Sequence, residues 1–133
     1  MGNKYAAKLE EPEAEAPKRK EPTVEYVHEV HEKDYETEVL GSALPVVLDF
    51  YAADSEPCKA LGPRYGAVAE KFEGKLRFLK VLKSGNAGLA AKLSVTSVPT
   101  LIFFKGGKES GERLSGPDIK RTDLKAQVEA LLR

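Results

Sequence analysis

The sequence predicts an α/β domain built on a central mixed sheet flanked by helices. Three observations carry this prediction. Apolar, strand-like runs alternate with helix-period segments as far as residue 105; the Gly106-Gly107 pair then turns the chain back; and an amphipathic helix ends it. A chain of 133 residues suits one core, because roughly two-thirds of its unfolded surface can be buried. The domain is expected to occupy residues 23–133, preceded by a disordered charged tail over residues 1–22. That leader holds five acids, five bases and three prolines, with little to bury, so ordering it would cost more entropy than its contacts return. Its basic cluster Lys18, Arg19, Lys20 suits either a docking element for an acidic partner or a plain solvated leader.

The first element is a strand over Val24 to Val30, where apolar and polar residues alternate. Asp34 to Leu40 reads as a short helix stopped by Gly41. Pro45 to Tyr51 is a continuous apolar run of the kind buried on both faces of a sheet, with Asp49 as the one anomaly. Ser55 to Phe72 carries Leu61, Tyr65, Val68, Ala69 and Phe72 at helical spacing, and Pro63 within it predicts a kink. Leu76 to Leu82 is a second apolar strand, holding Lys80 where an apolar residue would be ordinary, and Asn86 to Leu93 is a short helix. Pro99 to Lys105 is a third core strand, and the glycine pair leads into a weaker strand near Ser110 to Leu114. Leu124, Val128, Leu131 and Leu132 give the last helix its apolar face. The alternation argues for a parallel core with antiparallel strands added at one side.

Composition excludes several functions. Lys plus Arg and Asp plus Glu both number 21, so no net field draws the chain toward nucleic acid or an anionic membrane. No apolar run nears the roughly 18 residues of a membrane span, and no secretory leader is legible, so a soluble, cytoplasmic monomer is expected. One cysteine makes no internal disulfide, and with His28 and His31 it makes a poor metal cage, so neither a metal nor another cofactor is expected. The histidines read as surface residues. Phe50, Tyr51, Phe103 and Phe104 read as packing.

The element order, together with Leu48-Asp-Phe-Tyr-Ala-Ala-Asp-Ser-Glu-Pro-Cys-Lys59 and Val95-Thr-Ser-Val-Pro-Thr100, resembles the thioredoxin family over residues 23–133. The resemblance implies the thioredoxin fold. It puts the family's buried aspartate on Asp49, its active-site proline on Pro57 and its second redox cysteine on Cys58. The lysine that follows falls on Lys59, the helix proline on Pro63, the buried lysine on Lys80, and a cis-proline on Pro99. It further implies that Val98 offers its backbone to an extended substrate segment. Gly116 falls near a family glycine that keeps this face flat, with an ordinary loop glycine as the plain alternative.

The departures weigh as much as the matches. Where the family has Trp-Cys-Gly-Pro-Cys this chain has Asp54-Ser-Glu-Pro-Cys58, so Ser55 holds the nucleophile position. Dithiol exchange needs one thiolate to attack and a second thiol to resolve the mixed disulfide, and a serine hydroxyl supplies neither. Three of the five positions differ, which favours natural divergence over a single engineered change. Ser55 also suits a helix N-cap, three residues before Cys58. Cys58 reads either as a reactive sulfur, placed at a helix N-terminus, or as a packed and inert one. Asp49 with Lys80 reads either as a proton acceptor for Cys58, tuned by the lysine, or as an inherited buried pair. The expected function is a thiol-redox protein that forms mixed disulfides with a protein or peptide thiol or disulfide, or with a small thiol. A reductase of the thioredoxin system is a candidate partner, and a non-catalytic peptide-binding module is the alternative.

Overall fold

The computed structural model describes residues 26–133; the charged leader 1–22 and the predicted start of the first strand at Val24 lie outside the described residues. Strand β1 spans Val27–Glu29. A short 3₁₀ turn, Glu32–Asp34, leads into Tyr35–Leu40, where the predicted helix is wound as a π-helix. Its last turn is wide because the Gly41 N–H donates to the Glu36 carbonyl, five residues back, at 2.8 Å. Gly41 ends the element as expected, and a Cβ there would sit 2.9 Å from the Thr37 carbonyl oxygen.

Strand β2 (Val46–Tyr51) is followed by helix α1 (Glu56–Lys71), which continues through Pro63. Strand β3 (Arg77–Leu82), the 3₁₀ turn Ser84–Asn86 and helix α2 (Ala87–Lys92) come next. The chain ends with β4 (Thr100–Lys105), β5 (Lys108–Glu109), β6 (Leu114–Ser115) and helix α3 (Arg121–Leu131). The sheet order is β1-β3-β2-β4-β5, with β6 also paired to β4. β1, β3 and β2 run parallel, whereas β4 is antiparallel to β2, so the parallel core holds three strands and the turn to mixed direction begins at the third predicted core strand.

The predicted weak strand at Ser110 to Leu114 needs correction. Pairing starts immediately after the glycine turn, at Lys108, breaks, and resumes at Leu114. Phe104 pairs with Glu109 but Leu101 pairs with Leu114, so the edge chain carries a bulge over this stretch. Gly111, at φ +77°, turns the backbone out there.

Alternation along the strands feeds two cores. Val46, Leu48, Phe50, Leu79, Val81, Ile102 and Phe104 face the π-helix and α2, meeting Tyr35, Val39, Leu89 and Ala90. On the other side Val47, Phe78, Leu101 and Phe103 meet α1 through Leu61, Tyr65 and Val68, and α3 through Leu124 and Val128. Burial on both faces explains why β2 reads as an unbroken apolar run. Asp49, two residues after Val47, belongs to the α1 side.

Candidate functional site

The site forms where β2 ends. From Tyr51 the chain turns through Ala52 to Asp54, the Ser55 N–H donates to the Ala52 carbonyl at 3.3 Å, and α1 begins. Ser55 caps that helix: its Oγ accepts the Cys58 N–H at 3.3 Å, and its extended backbone (φ −88°, ψ 124°) is the ordinary N-cap conformation. Pro57 sits in the first turn, where its missing N–H leaves no intrahelical bond unmade. Cys58 is half-buried, and the Ala52 N–H donates to its Sγ at 3.4 Å, fixing the sulfur against the end of β2.

Two further segments converge on the same end. Phe50 pairs with Thr100, and Thr100 pairs with Ser115. One step further along these antiparallel chains lie Tyr51, Pro99 and Gly116, so Pro99 occupies the middle of the row. The Val98–Pro99 peptide bond is cis, Pro99 is buried and Val98 half-buried. The Thr100 hydroxyl closes this turn by donating to the Ser97 carbonyl at 2.8 Å. Gly116 has φ +98° and nothing within 4 Å of where a Cβ would stand, so glycine is required there by backbone conformation, and the surface around it is open. Ser55, Pro57, Cys58, Val98, Pro99 and Gly116 thus gather at one end of the sheet.

Asp49 lies deeper and is only 7% exposed. Its Oδ1 has no hydrogen-bond partner among the described residues, and burial pushes its carboxyl up to about 7, the nearby Lys80 ammonium offsetting part of that rise. No hydrogen bond links it directly to Cys58 among the described residues.

Lys80 is Asp49's register neighbour on β3 but is not its ion-pair partner: among the described residues no salt bridge within 4 Å joins them. The ammonium instead lies over the Tyr51 ring, 5.2 Å from its centroid. Tyr51, expected to serve as packing alone, is half-buried and donates its hydroxyl to Glu29 Oε2 at 2.6 Å. Burial, and then that bond to Glu29, raise the Tyr51 phenol above its usual value. Glu29 and Tyr51 therefore surround Lys80, an arrangement that residue patterns missed. The available signal was Tyr51's position two residues after Asp49, on the same face of β2. The buried Tyr65 of α1 spans the sheet from above, its hydroxyl 2.7 Å from the Leu79 carbonyl and 3.0 Å from that of Val47. His28 and His31 are exposed, and the described residues hold no cluster of three or more His, Cys, Asp or Glu able to bind a metal.

A single thiol at a helix start, at the same end of the sheet as a proline-led strand, defines a thioredoxin-like thiol site. The thioredoxin family model matches residues 26–130, and the chain belongs to the thioredoxin family. It is 36% identical over 81 residues to thioredoxin 1 of Nostoc sp. (strain PCC 7120), covering 61% of this chain and 76% of that one. To thioredoxin of Porphyra purpurea it is 34% identical over 82 residues, covering 62% and 77%. To the chloroplastic thioredoxin X of Arabidopsis thaliana it is 35% identical over 107 residues, covering 80% of this chain and 58% of the relative. At the level of the family it is a thioredoxin-like thiol-redox protein. No helix among the described residues is long and apolar enough to cross a membrane.

Proposed function

We propose that this protein captures disulfide partners through Cys58 alone and holds them as mixed disulfides. The Cys58 thiolate attacks one sulfur of a partner disulfide, RS–SR′, forming Cys58–S–S–R and expelling R′S⁻. One partner sulfur is reduced as Cys58 is oxidised. In a dithiol protein the neighbouring cysteine would then attack and free RS⁻; at that position this chain has the Ser55 oxygen, already engaged as acceptor of the Cys58 N–H. Release needs a thiol from outside, of the glutathione class or from a reductase of the thioredoxin system.

The observation that carries this reading is the seating of Cys58 Sγ on the Ala52 N–H beside the Val98–Pro99 turn, with a helix cap in place of the second sulfur. In this reading Pro57, Val98, Pro99 and Gly116 receive the partner's extended segment, while Asp49 is the proton store for Cys58 and Lys80 tunes it. The protein acts as a monomer in the cytoplasm, a compartment that keeps a lone thiol reduced; the name of the Arabidopsis relative specifies the chloroplast for that protein.

Reduced protein mixed with a peptide disulfide is expected to yield one adduct, on Cys58, by mass spectrometry, and to leave insulin unreduced. Rapid insulin reduction by the unaltered chain would overturn the mechanism. The open surface beside Gly116 favours a second reading, in which the same face binds peptide without covalent chemistry. Binding that is unchanged in Cys58→Ala would select it.

A further inference from the structure

Glu29, Lys80 and Asp49 stand in one row across three parallel strands, since Glu29 and Asp49 are both register partners of Lys80. Register partners project from the same face of a sheet, and so does Tyr51, two residues after Asp49. To reach Glu29 on β1, the Tyr51 side chain crosses β3, the strand that carries Lys80. We propose that Tyr51 and Glu29 are positioning residues for Lys80: their hydrogen bond across β3 fixes an aromatic surface on which the ammonium rests, holding that cation off the buried carboxyl of Asp49.

The placement of Lys80 supports this. It has a carboxyl group on either side in register, yet among the described residues it forms an ion pair within 4 Å with neither. Its Nζ lies 5.2 Å from the Tyr51 ring centroid, within cation–π range. The ring's hydroxyl end is tied to Glu29 Oε2 at 2.6 Å, which sets its direction across β3. Among the described residues Asp49 Oδ1 is left without a hydrogen-bond partner.

The other groups around Asp49 offer no substitute cation. Among the described residues, Tyr65 of α1 is neutral and committed to two sheet carbonyls, Cys58 of α1 makes no hydrogen bond to it, and the β4 neighbour, Leu101, is apolar. Burial raises the carboxyl to about 7, and a cation held at this distance offsets only part of that rise. The inference rests on the proposed function only in its consequence, that the proton is stored for Cys58.

The test is a ¹³C NMR titration of Asp49 in the full chain. Tyr51→Phe keeps the ring but frees it from Glu29, so Lys80 can approach Asp49 and the midpoint is expected to fall by about one pH unit. Lys80→Met is expected to raise it, and in the Lys80→Met background Tyr51→Phe should no longer lower it. Glu29→Ala, at an exposed position, removes the acceptor of the Tyr51 hydroxyl and provides the same pair of measurements should Tyr51→Phe fold poorly. An unmoved midpoint in Tyr51→Phe, or an undiminished shift without the lysine, overturns the proposal. A Cys58 alkylation profile recorded alongside separates the two claims: if Asp49 moves and that profile does not, the positioning role stands and the proton-store role fails.

Discussion

The two faces of β2 differ in one residue class and in everything that follows from it. Toward α2, Val46, Leu48 and Phe50 are wholly buried among aliphatic and aromatic side chains. Toward α1, the same strand presents Val47, then Asp49, then Tyr51, and burial gives way over those positions to a polar row that reaches Glu29. The first face needs only volume and apolar area to do its work. The second carries a carboxyl oxygen without a partner among the described residues, which costs stability. Packing and chemistry are thus separated by the two-residue repeat of one strand.

The comparison can be broken most forcefully at Phe50. Phe50→Ala should cost about 3–5 kcal/mol in urea unfolding, because a fully buried ring leaves a cavity, while the Asp49 titration stays in place. Loss of the Asp49 behaviour in that variant would show that the faces are coupled.

The pH dependence of stability sharpens the other side. The Asp49 carboxyl deprotonates near 3.8 in the unfolded chain and near 7 in the fold, so between those values the folded state binds more protons. Stability from this group is therefore complete below about pH 4, falls as pH rises, and is lost above 7, a span of roughly 4 kcal/mol. Asp49→Asn should flatten that slope in urea titrations at pH 4 to 8; parallel curves for the two proteins would remove Asp49 from the account. Smaller effects belong to the rim. Ser55→Ala should cost about 1 kcal/mol through the lost cap on the Cys58 N–H, measured by thermal unfolding. Lys59→Ala should change stability by under about 0.5 kcal/mol, because its 3.5 Å pair with Glu56 is exposed on both sides.

What could be read from residues alone follows the same division. The run Pro45 to Tyr51 announced a doubly covered strand, Asp49 stood out as its one buried acid, and Ser55 was legible as a cap because capping depends on neighbours three residues away. Local patterns also gave Gly41 as a stop, but not the π winding before it, since the four-residue spacing of Tyr35 and Val39 suits either helix. The break between β5 and β6 depends on a register against β4 that no short window contains. The residues alone suggest Lys80 for Asp49, because each is an anomaly in an apolar strand and the family resemblance joins the two. The side chain's actual course depends on a tyrosine on its own side of the sheet and a glutamate one strand away, both visible only once β1, β3 and β2 are aligned.

The central claim concerns what happens after capture, and the lifetime of a purified Cys58–peptide mixed disulfide tests it most directly. With no added thiol, the adduct should persist for hours in the unaltered chain and collapse quickly in Ser55→Cys, with free peptide released and an internal disulfide formed. Spontaneous release of peptide thiol from the unaltered chain at a comparable rate would contradict the account.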